Sequence, residues 1–141
     1  MKISACDPAS ADAQVLMEEL SATLAAITGA SGKASFAAGD AGLVFVVARA
    51  DDCGLLGCGA VRPLAEGVGE IKRMYARPGT RGVGAAILAH LETQGFPELW
   101  LETRKVNARA VAFYRKHGYA EMPNYGQYIG RAEAICFRKT F

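Results

Sequence analysis

Hydrophobic positions in the first half of the chain predict one helix and a set of short strands. After Ser10 or Asp12, either of which can cap a helix, apolar residues recur at helical spacing: Leu16, Leu20, Leu24 and Ile27. Short apolar runs separated by turns, one of them at Pro63–Val68, predict strands over residues 2–6, 43–49, 55–62 and 70–76. Short strands joined by short turns are typical of an antiparallel meander, whereas the Gly-, Ala- and Ser-rich segment Gly29–Gly42 predicts no regular element.

The pattern changes after residue 76 to alternating helices and strands. A helix is predicted over residues 82–93 and ends at Gly95 and Pro97, and a second helix over residues 107–117 ends at Gly118. The remaining apolar runs predict strands over residues 99–102, 119–122 and 135–141. We therefore expect a single domain over residues 1–141 of class α+β or α/β, in which the meander leads into a β-α-β-α-β unit.

Composition and cysteine usage limit the class of protein. A hydrophobic content of 51% over 141 residues fits one globular domain and excludes an intrinsically disordered chain. The longest unbroken apolar run, Leu43–Ala48, is far shorter than the roughly 20 residues of a membrane helix, and the first residues lack the apolar core of a secretory signal. Four scattered cysteines predict reduced, mostly buried thiols, so we expect a cytoplasmic protein, and neither they nor the two histidines have metal-ligand spacing.

Charge is distributed unevenly along the chain. Residues 1–70 carry four basic and nine acidic side chains, a net charge of −5, whereas residues 71–141 carry twelve and five, a net charge of +7. So polarised a chain predicts a polyanionic ligand. Four basic residues fall within residues 72–81, which contain no acid: Lys72, Arg73, Arg77 and Arg81.

The segment Arg81–Ala86 joins a predicted strand to a predicted helix and consists mostly of small residues. Small residues let a ligand approach the backbone, and the free N–H groups at a helix start bind phosphate. A Walker loop would need Gly-Lys-Ser/Thr, which is absent, and a dinucleotide fingerprint would need a small residue in place of Ile87. The turn therefore predicts a phosphate-bearing ligand, with NAD as the weaker alternative.

Two motifs resemble those of a known family. Arg81-x-x-Gly84-x-Ala86 is similar to the Arg/Gln-x-x-Gly-x-Gly/Ala signature of the GNAT N-acetyltransferases, in the same strand-loop-helix context. A second match follows at the family's spacing: Asn107-x-x-Ala110-x-x-x-Tyr114-x-x-x-Gly118-Tyr119. The resemblance, to small bacterial-type members of unassigned substrate, covers Leu43 to the C-terminus. It implies the GNAT fold, a mixed but mostly antiparallel sheet of six to seven strands flanked by about four helices.

The resemblance also implies acetyl-CoA as cosubstrate and assigns roles to individual residues. The amides at the helix start would hold the CoA pyrophosphate with the help of Arg81, the strand-end backbone would pair with the pantetheine arm, and the Asn107 side chain would contact the same arm. The implied CoA contacts are Met74, Tyr75, Ala76, Arg81, Gly82, Val83, Gly84, Ala85, Ala86 and Asn107. Tyr114 would protonate the leaving thiolate, a role that a phenol with a pKa near 10 can perform.

An attacking amine must lose a proton, and two carboxylates are candidates for the base. Glu70 opens the strand that would carry the thioester contact, where family members place a glutamate, and Glu102 on the neighbouring strand is the alternative. A water chain is a third possibility. The segment Pro123–Ala132 supplies Tyr125 and Tyr128, which with Tyr75 would border the acceptor site.

The expected function is an acetyl-CoA-dependent N-acetyltransferase acting on a small-molecule or protein amine. One alternative is a GNAT-fold acyl-CoA sensor without turnover. A nucleic-acid-binding module is disfavoured because the overall charge of +2 is low and no groove-reading motif is present. No membrane partner and no metal are expected, a homodimer is possible, and the sequence does not select the acceptor amine.

Overall fold

A computed structural model describes all 141 residues. Its centre is a seven-stranded sheet in the order β1-β2-β3-β4-β5-β7-β6. The strands are β1 (Lys2–Ala5), β2 (Val44–Arg49), β3 (Leu55–Ala65), β4 (Val68–Ala76), β5 (Glu98–Arg104), β6 (Ala120–Met122) and β7 (Ala134–Thr140). The helices are α1 (Ala11–Thr28), α2 (Val83–Glu92) and α3 (Ala108–Lys116). Every neighbouring pair is antiparallel except β4 and β5, which are parallel, so the predicted mixed sheet is confirmed.

Two sequence-based expectations for the elements need correction. The structure has three α-helices rather than about four, because the segment Gly29–Gly42 forms only a 3-10 turn at Lys33–Ser35. The turn predicted at Pro63–Val68 is shorter, because β3 continues through Pro63 to Ala65. Strand β2 begins at Val44 opposite Val61, so no strand on that side of Pro63 needs the N–H group that proline lacks.

The helices cover opposite faces of the sheet. Helices α2 and α3 bury one face, with a core built from residues such as Val61, Ile71, Leu88 and Phe137. Helix α1 buries the other face against Phe45, Val47, Cys58 and Ala60. Because side chains alternate along a strand, Arg62, Glu70 and Lys72 share the α1 face with Ala60, and so do their β5 neighbours Trp100, Glu102 and Arg104. No helix of the chain has the length and hydropathy needed to cross a membrane.

A β-bulge in β4 opens the sheet. Between the pairs Cys58–Tyr75 and Ala60–Lys72, β3 places one residue and β4 places two, Arg73 and Met74. Arg73 has a positive φ of 53°, as expected where a strand kinks. Pairing of β4 with β5 is limited to Val68–Glu70 against Glu98–Trp100, and beyond it the two strands separate.

Arg73 fastens the bulge to helix α1. The residue is 9% exposed, and its guanidinium donates hydrogen bonds to the Met17 carbonyl (2.9 Å), the Ser21 hydroxyl (2.6 Å) and the Ser31 carbonyl (3.2 Å). Its Nε is buried without a partner. The side chain thus joins α1 and the start of the segment Gly29–Gly42 to the point where the sheet opens.

Candidate active site

A cleft of about 410 Å³ lies where β4 and β5 separate. Its floor is formed by residues 71–74 of β4 and 101–104 of β5, and its walls come from α1, the residues that follow α1, the start of α3 and the loop before β7. Several residues that the sequence analysis singled out reach it: Lys72, Met74, Glu102, Asn107, Tyr114 and Tyr128. The opening of the sheet therefore brings together residues that are far apart in the chain, such as Lys72 and Tyr128, which are 56 positions apart and share a hydrogen bond.

The start of α2 has the free donors that a phosphate group needs. Gly82 caps the helix with a φ of 69°, a conformation in which glycine is favoured, and no side chain caps the helix. The first intrahelical bond is donated by the Ala86 amide to the Gly82 carbonyl (3.0 Å), so the amides of Val83, Gly84 and Ala85 precede it and are free. Ala86 is therefore not one of the free donors, which corrects the expectation for that amide.

Arg81 and Gly84 complete the geometry of this turn. Arg81 is exposed, and its side chain has no hydrogen bond or ion pair within the chain. A Cβ on Gly84 would lie 3.4 Å from two ring atoms of Phe113 in α3, so glycine lets the start of α2 approach α3 closely. Free amides at a positive helix end beside an unpaired guanidinium fit the pyrophosphate of CoA.

At the end of β4, the backbone N–H and C=O groups of successive residues point alternately towards β3 and towards the cleft. The Arg77 amide donates to the Leu56 carbonyl (2.8 Å), and hydrogen-bonded pairs alternate along an antiparallel ladder. The Tyr75 backbone is therefore directed to β3, and that of Ala76 is directed to the side where β5 no longer pairs. Met74 lines the cleft, whereas the Tyr75 phenol lies outside it and donates to Glu19 at 3.0 Å.

Tyr114 has a packed ring and a free hydroxyl. The ring lies 5.2 Å from that of Phe113, 5.8 Å from that of Tyr119 and 6.4 Å from that of Phe137, centroid to centroid. The hydroxyl makes no hydrogen bond within the chain and is not one of its fully buried polar atoms, and the residue lines the cleft. Burial raises the pKa of Tyr114 well above its ordinary range, which keeps the phenol protonated.

Asn107 begins α3 and also lines the cleft. Its side-chain oxygen accepts the amide of Ala110 at 3.3 Å, so it caps the helix. The oxygen is thereby occupied, and the side-chain NH₂ group remains as a donor for a ligand in the cleft.

The carboxylate of Glu70 is buried in a network and does not line the cleft. It is 1% exposed and accepts hydrogen bonds from Arg62 Nε (2.8 Å) and from the Tyr125 hydroxyl (2.5 Å), with Lys72 Nζ at 3.5 Å. Lys72 in turn donates to the Tyr128 hydroxyl at 3.0 Å. Tyr125 and Tyr128 are thus buried members of this network rather than free loop side chains, and burial beside Glu70 raises the pKa of Tyr125.

Glu102 is the carboxylate that reaches the cleft. It lies on β5, pairs with Arg104 and is partly buried. Desolvation raises the pKa of Glu102, and this effect exceeds the opposing influence of Arg104. A carboxylate with a raised pKa at the edge of a cleft is suited to accept a proton.

The basic residues of positions 72–81 do not form one phosphate-binding cluster. Lys72 and Arg73 are buried in the contacts described above, and Arg77 binds the Glu19 carboxylate through two nitrogens, at 3.0 and 2.8 Å. Only Arg81 is left without a protein partner. The expectation that this run of charge marks the polyanion site is wrong for three of its four members, because a linear run of charge does not report which face each side chain takes.

Arg104, Gln127 and Arg131 also line the cleft, although no sequence pattern predicted a site role for them. Arg104 belongs to a run of basic residues next to the second motif, and that run does not predict where its side chain lies. Its spacing of two residues from Glu102 on β5, which puts both side chains on one face of the sheet, was the signal that could have placed it at the cleft. Arg131 follows a loop without periodicity, so no sequence pattern marks it.

Comparison with known proteins identifies the family. The model of the acetyltransferase (GNAT) family matches residues 13–119. Among characterised sequences, the chain is 38% identical over 91 residues to the IAA acetyltransferase of Azospirillum brasilense, covering 60% of this chain and 59% of that protein. It is 47% identical over 45 residues to the [ribosomal protein bS18]-alanine N-acetyltransferase of Salmonella typhimurium, covering 29% and 30%. The chain therefore spans less than two thirds of the length of these relatives.

Solved structures share the fold along the whole chain. A putative acyl-CoA N-acyltransferase from Klebsiella pneumoniae superposes with a TM-score of 0.83 at 23% identity, covering 99% of this chain and 96% of that one. The PaiA N-acetyltransferase of Thermoplasma acidophilum, in complex with coenzyme A, superposes with a TM-score of 0.70 at 16% identity, covering 100% of both chains. With a family model that matches most of its length, this chain belongs to the acetyltransferase (GNAT) family.

Proposed function

We propose that the protein is an acetyl-CoA-dependent N-acetyltransferase that transfers the acetyl group directly to an acceptor amine. The observation that carries the proposal is the cleft between β4 and β5. There Met74, Asn107 and Tyr114 line one cleft, and the free amides belong to α2, the helix that follows β4 along the chain. Family membership supports this assignment, and the names of the relatives describe acetyl transfer in those proteins.

Acetyl-CoA supplies the activated thioester, and residues on the α2 and α3 side would hold it. The amides of Val83, Gly84 and Ala85 would bind the pyrophosphate with Arg81, and the Asn107 NH₂ group would bind the pantetheine arm. The backbone of Met74 and Ala76 would extend along the same arm. A Met74 amide directed into the cleft would stabilise the negative charge that develops on the thioester oxygen.

The transfer requires two proton movements. The amine nitrogen attacks the thioester carbon, a C–N bond forms, and the C–S bond breaks. The proton of Tyr114 passes to the leaving sulfur, and the amine proton passes to a carboxylate directly or through water. We propose Glu102 as this base in preference to Glu70, because Glu102 lines the cleft and Glu70 is enclosed by Arg62, Tyr125 and Lys72.

A thiol-release assay tests the proposal. Acetyl-CoA is expected to raise the melting temperature of the protein, and a panel of chemically diverse amines is expected to include acceptors that release CoA thiol. Stabilisation by acetyl-CoA without thiol release from any amine would favour the acyl-CoA sensor. Stabilisation by duplex DNA but not by acetyl-CoA would contradict both.

The remaining expectations accompany this function. We propose that residues 1–141 act as a single domain, and the placement of strands from both chain ends in one sheet supports this. The four cysteines are free, which supports a reducing compartment such as the cytoplasm. The homodimer and the lack of nucleic-acid and membrane partners stay predictions.

A further inference from the structure

The cleft is positively charged on its α1 side. Four basic side chains line it, Lys72, Arg73, Arg104 and Arg131, against one acid, Glu102. Glu102 pairs with Arg104, and Glu70 lies 3.5 Å from Lys72, so these two cations have carboxylate partners. The hydrogen bonds of Arg73 go to carbonyls and a hydroxyl, which leave its charge uncompensated.

These cations lie on the side opposite the proposed CoA site. Lys72, Glu102 and Arg104 project from the α1 face of the sheet by strand alternation, and Tyr128 contacts Lys72 on the same face. The free amides belong to α2, which packs on the other face. The excess positive charge therefore faces the acceptor rather than the phosphates of CoA.

Arg131 is the free donor in this group. The residue is exposed and lines the cleft, and its guanidinium has no hydrogen bond or ion pair within the chain. Its backbone is held in place, because Asn124 Nδ2 donates to the carbonyls of Tyr128 and Arg131, both at 3.0 Å. An arginine whose backbone is held in place and whose guanidinium is unpaired is suited to bind an anion. The planar fork of the guanidinium matches the two oxygens of a carboxylate.

We propose that the acceptor is a small amine that carries a carboxylate, of the amino-acid class, and that Arg131 binds this carboxylate. The proposal rests on the proposed acetyl transfer. A cleft of about 410 Å³ that also admits the acetyl end of CoA has room for a small molecule. Leu20 and Leu24 of α1 also line the cleft, and their apolar surface favours an acceptor with an apolar side chain. The positive charge of the cleft disfavours polycationic acceptors.

The test compares apolar amino acids with their carboxamides, which keep the amine and lose the negative charge. Leucine, methionine and phenylalanine are each paired with the amide, and kcat/KM is measured by thiol release in wild type and in Arg131→Gln, Arg131→Glu and Arg138→Gln. Arg138 is an exposed arginine outside the cleft and serves as the control. The two compounds differ in amine basicity, so the informative quantity is the acid-to-amide ratio of each variant divided by that of wild type.

We expect Arg131→Gln to lower this ratio by about 10-fold or more, the usual effect of losing a charge-assisted hydrogen bond. Arg131→Glu should lower it further, and Arg138→Gln should leave it unchanged. The carboxylate site would be overturned if both compounds are turned over and the acid-to-amide ratio is the same in wild type and in both Arg131 variants. The proposed acetyl transfer would still stand.

Binding measured by calorimetry to the protein saturated with CoA separates the site from the chemistry. Leucine is expected to bind more tightly than leucinamide, and Arg131→Gln is expected to abolish the difference. If this binding pattern is found without thiol release from any amine, the carboxylate site stands and the proposed transfer fails. If leucine, methionine and phenylalanine neither bind nor react, the carboxylate site is overturned, whatever other amines do.

Discussion

At Tyr114, packing and chemistry depend on different atoms of one side chain. The ring is packed between α3 and the sheet, whereas the hydroxyl has no partner in the protein. We expect Tyr114→Phe to leave the melting temperature unchanged and to lower kcat by about 100-fold or more, because general acids contribute roughly 10²–10⁴-fold to rate. The KM for acetyl-CoA should change little, since the phenol acts on the leaving sulfur.

Tyr119→Phe is the matched control for this substitution. The Tyr119 hydroxyl donates to Glu92 at 2.9 Å, so its removal should lower the melting temperature and leave kcat nearly intact. A Tyr114→Phe enzyme with wild-type kcat over the full pH range would contradict the acid role.

The choice between Glu102 and Glu70 is a prediction about pH. A base must be deprotonated, so kcat/KM should rise with pH through the pKa of the acting carboxylate, and desolvation places the pKa of Glu102 above the ordinary 4.5. Glu102→Gln should remove this acidic limb and lower the plateau. Glu70→Gln should instead destabilise the protein by about 3–5 kcal/mol, because it leaves Arg62 and Lys72 without their buried partner, and it should retain the limb. The opposite pattern in the pH profiles would assign the base to Glu70.

At the scale of single residues, the motif positions were predictable and the contacts between distant segments were not. The spacing of Asn107 and Tyr114, and the small residues after Arg81, are local signals that the structure brings to one cleft or next to it. The network around Glu70 joins residues 62, 70, 72, 125 and 128, and Arg131 reaches the cleft through a loop held by Asn124. Such contacts depend on strand register and loop closure, which leave no periodic signal in the sequence.

Between elements, the close approach of α2 to the sheet depends on glycine in β3. A Cβ on Gly59 would lie 2.6 Å from Ile87 Cγ2 and 2.7 Å from the Met74 sulfur. We expect Gly59→Ala to lower the free energy of unfolding by about 1–3 kcal/mol, the usual cost of overpacking, and to shift Met74 in the cleft. Gly39→Ala is the control, because that position has open space and an ordinary φ. Equal denaturant midpoints for the two variants would contradict the prediction.

Helix α1 is joined to the end of β4 by an ion pair that should respond to pH. The Arg77 hydrogen bonds, followed by that of Tyr75, lower the pKa of Glu19 in the folded state. A lowered folded pKa contributes stability that is present above the unfolded value of about 4.5 and is lost as the pH falls through the folded value. Glu19→Gln should therefore lower the melting temperature at pH 7 and have a smaller effect at pH 3.

The neighbouring Glu18 offers a control for Glu19. Its pair with Lys33 is exposed, with 63% and 57% of the side chains accessible, so Glu18→Gln should have little effect at either pH. A Glu19→Gln effect as large at pH 3 as at pH 7 would show that packing rather than charge joins α1 to β4.

At the same scale, periodicity predicted the existence and order of the elements better than their ends. All seven strands and the three α-helices fall where the hydrophobic pattern indicates them. The predicted turn at Pro63–Val68 begins too early, because Pro63 stands past the end of β2, where no ladder donor is needed, and β3 continues through it. The segment Gly29–Gly42 carries no periodic pattern, and its start is held instead by Arg73 from the bulge.

For the whole molecule, part of the uneven charge along the chain is used in contacts between its halves. Arg77 binds Glu19, Lys72 lies near Glu70, and Arg73 holds carbonyls of α1 and the segment that follows it. These three basic residues of the second half thus contact the first half, whereas Arg104, Arg115, Arg138 and Lys139 pair with carboxylates of their own half. Two cations without protein partners lie at the proposed ligand sites, Arg81 at the start of α2 and Arg131 at the cleft.

This division makes Arg81 and Arg77 a discriminating pair, since each lies near the start of α2 and carries the same charge. Arg81→Gln removes a side chain without protein partners, so the free protein should melt at the wild-type temperature while the stabilisation by acetyl-CoA falls. Arg77→Gln removes the partner of Glu19 and the bond to the Leu55 carbonyl, so the free protein should melt earlier. The stabilisation gained from acetyl-CoA should then be near that of wild type.

Raised salt should weaken acetyl-CoA binding less in Arg81→Gln than in wild type, because one cation facing the phosphates is gone. Equal loss of acetyl-CoA stabilisation in both variants would mean that the run of charge at 72–81 acts as one phosphate site after all, despite the inward contacts of three of its members.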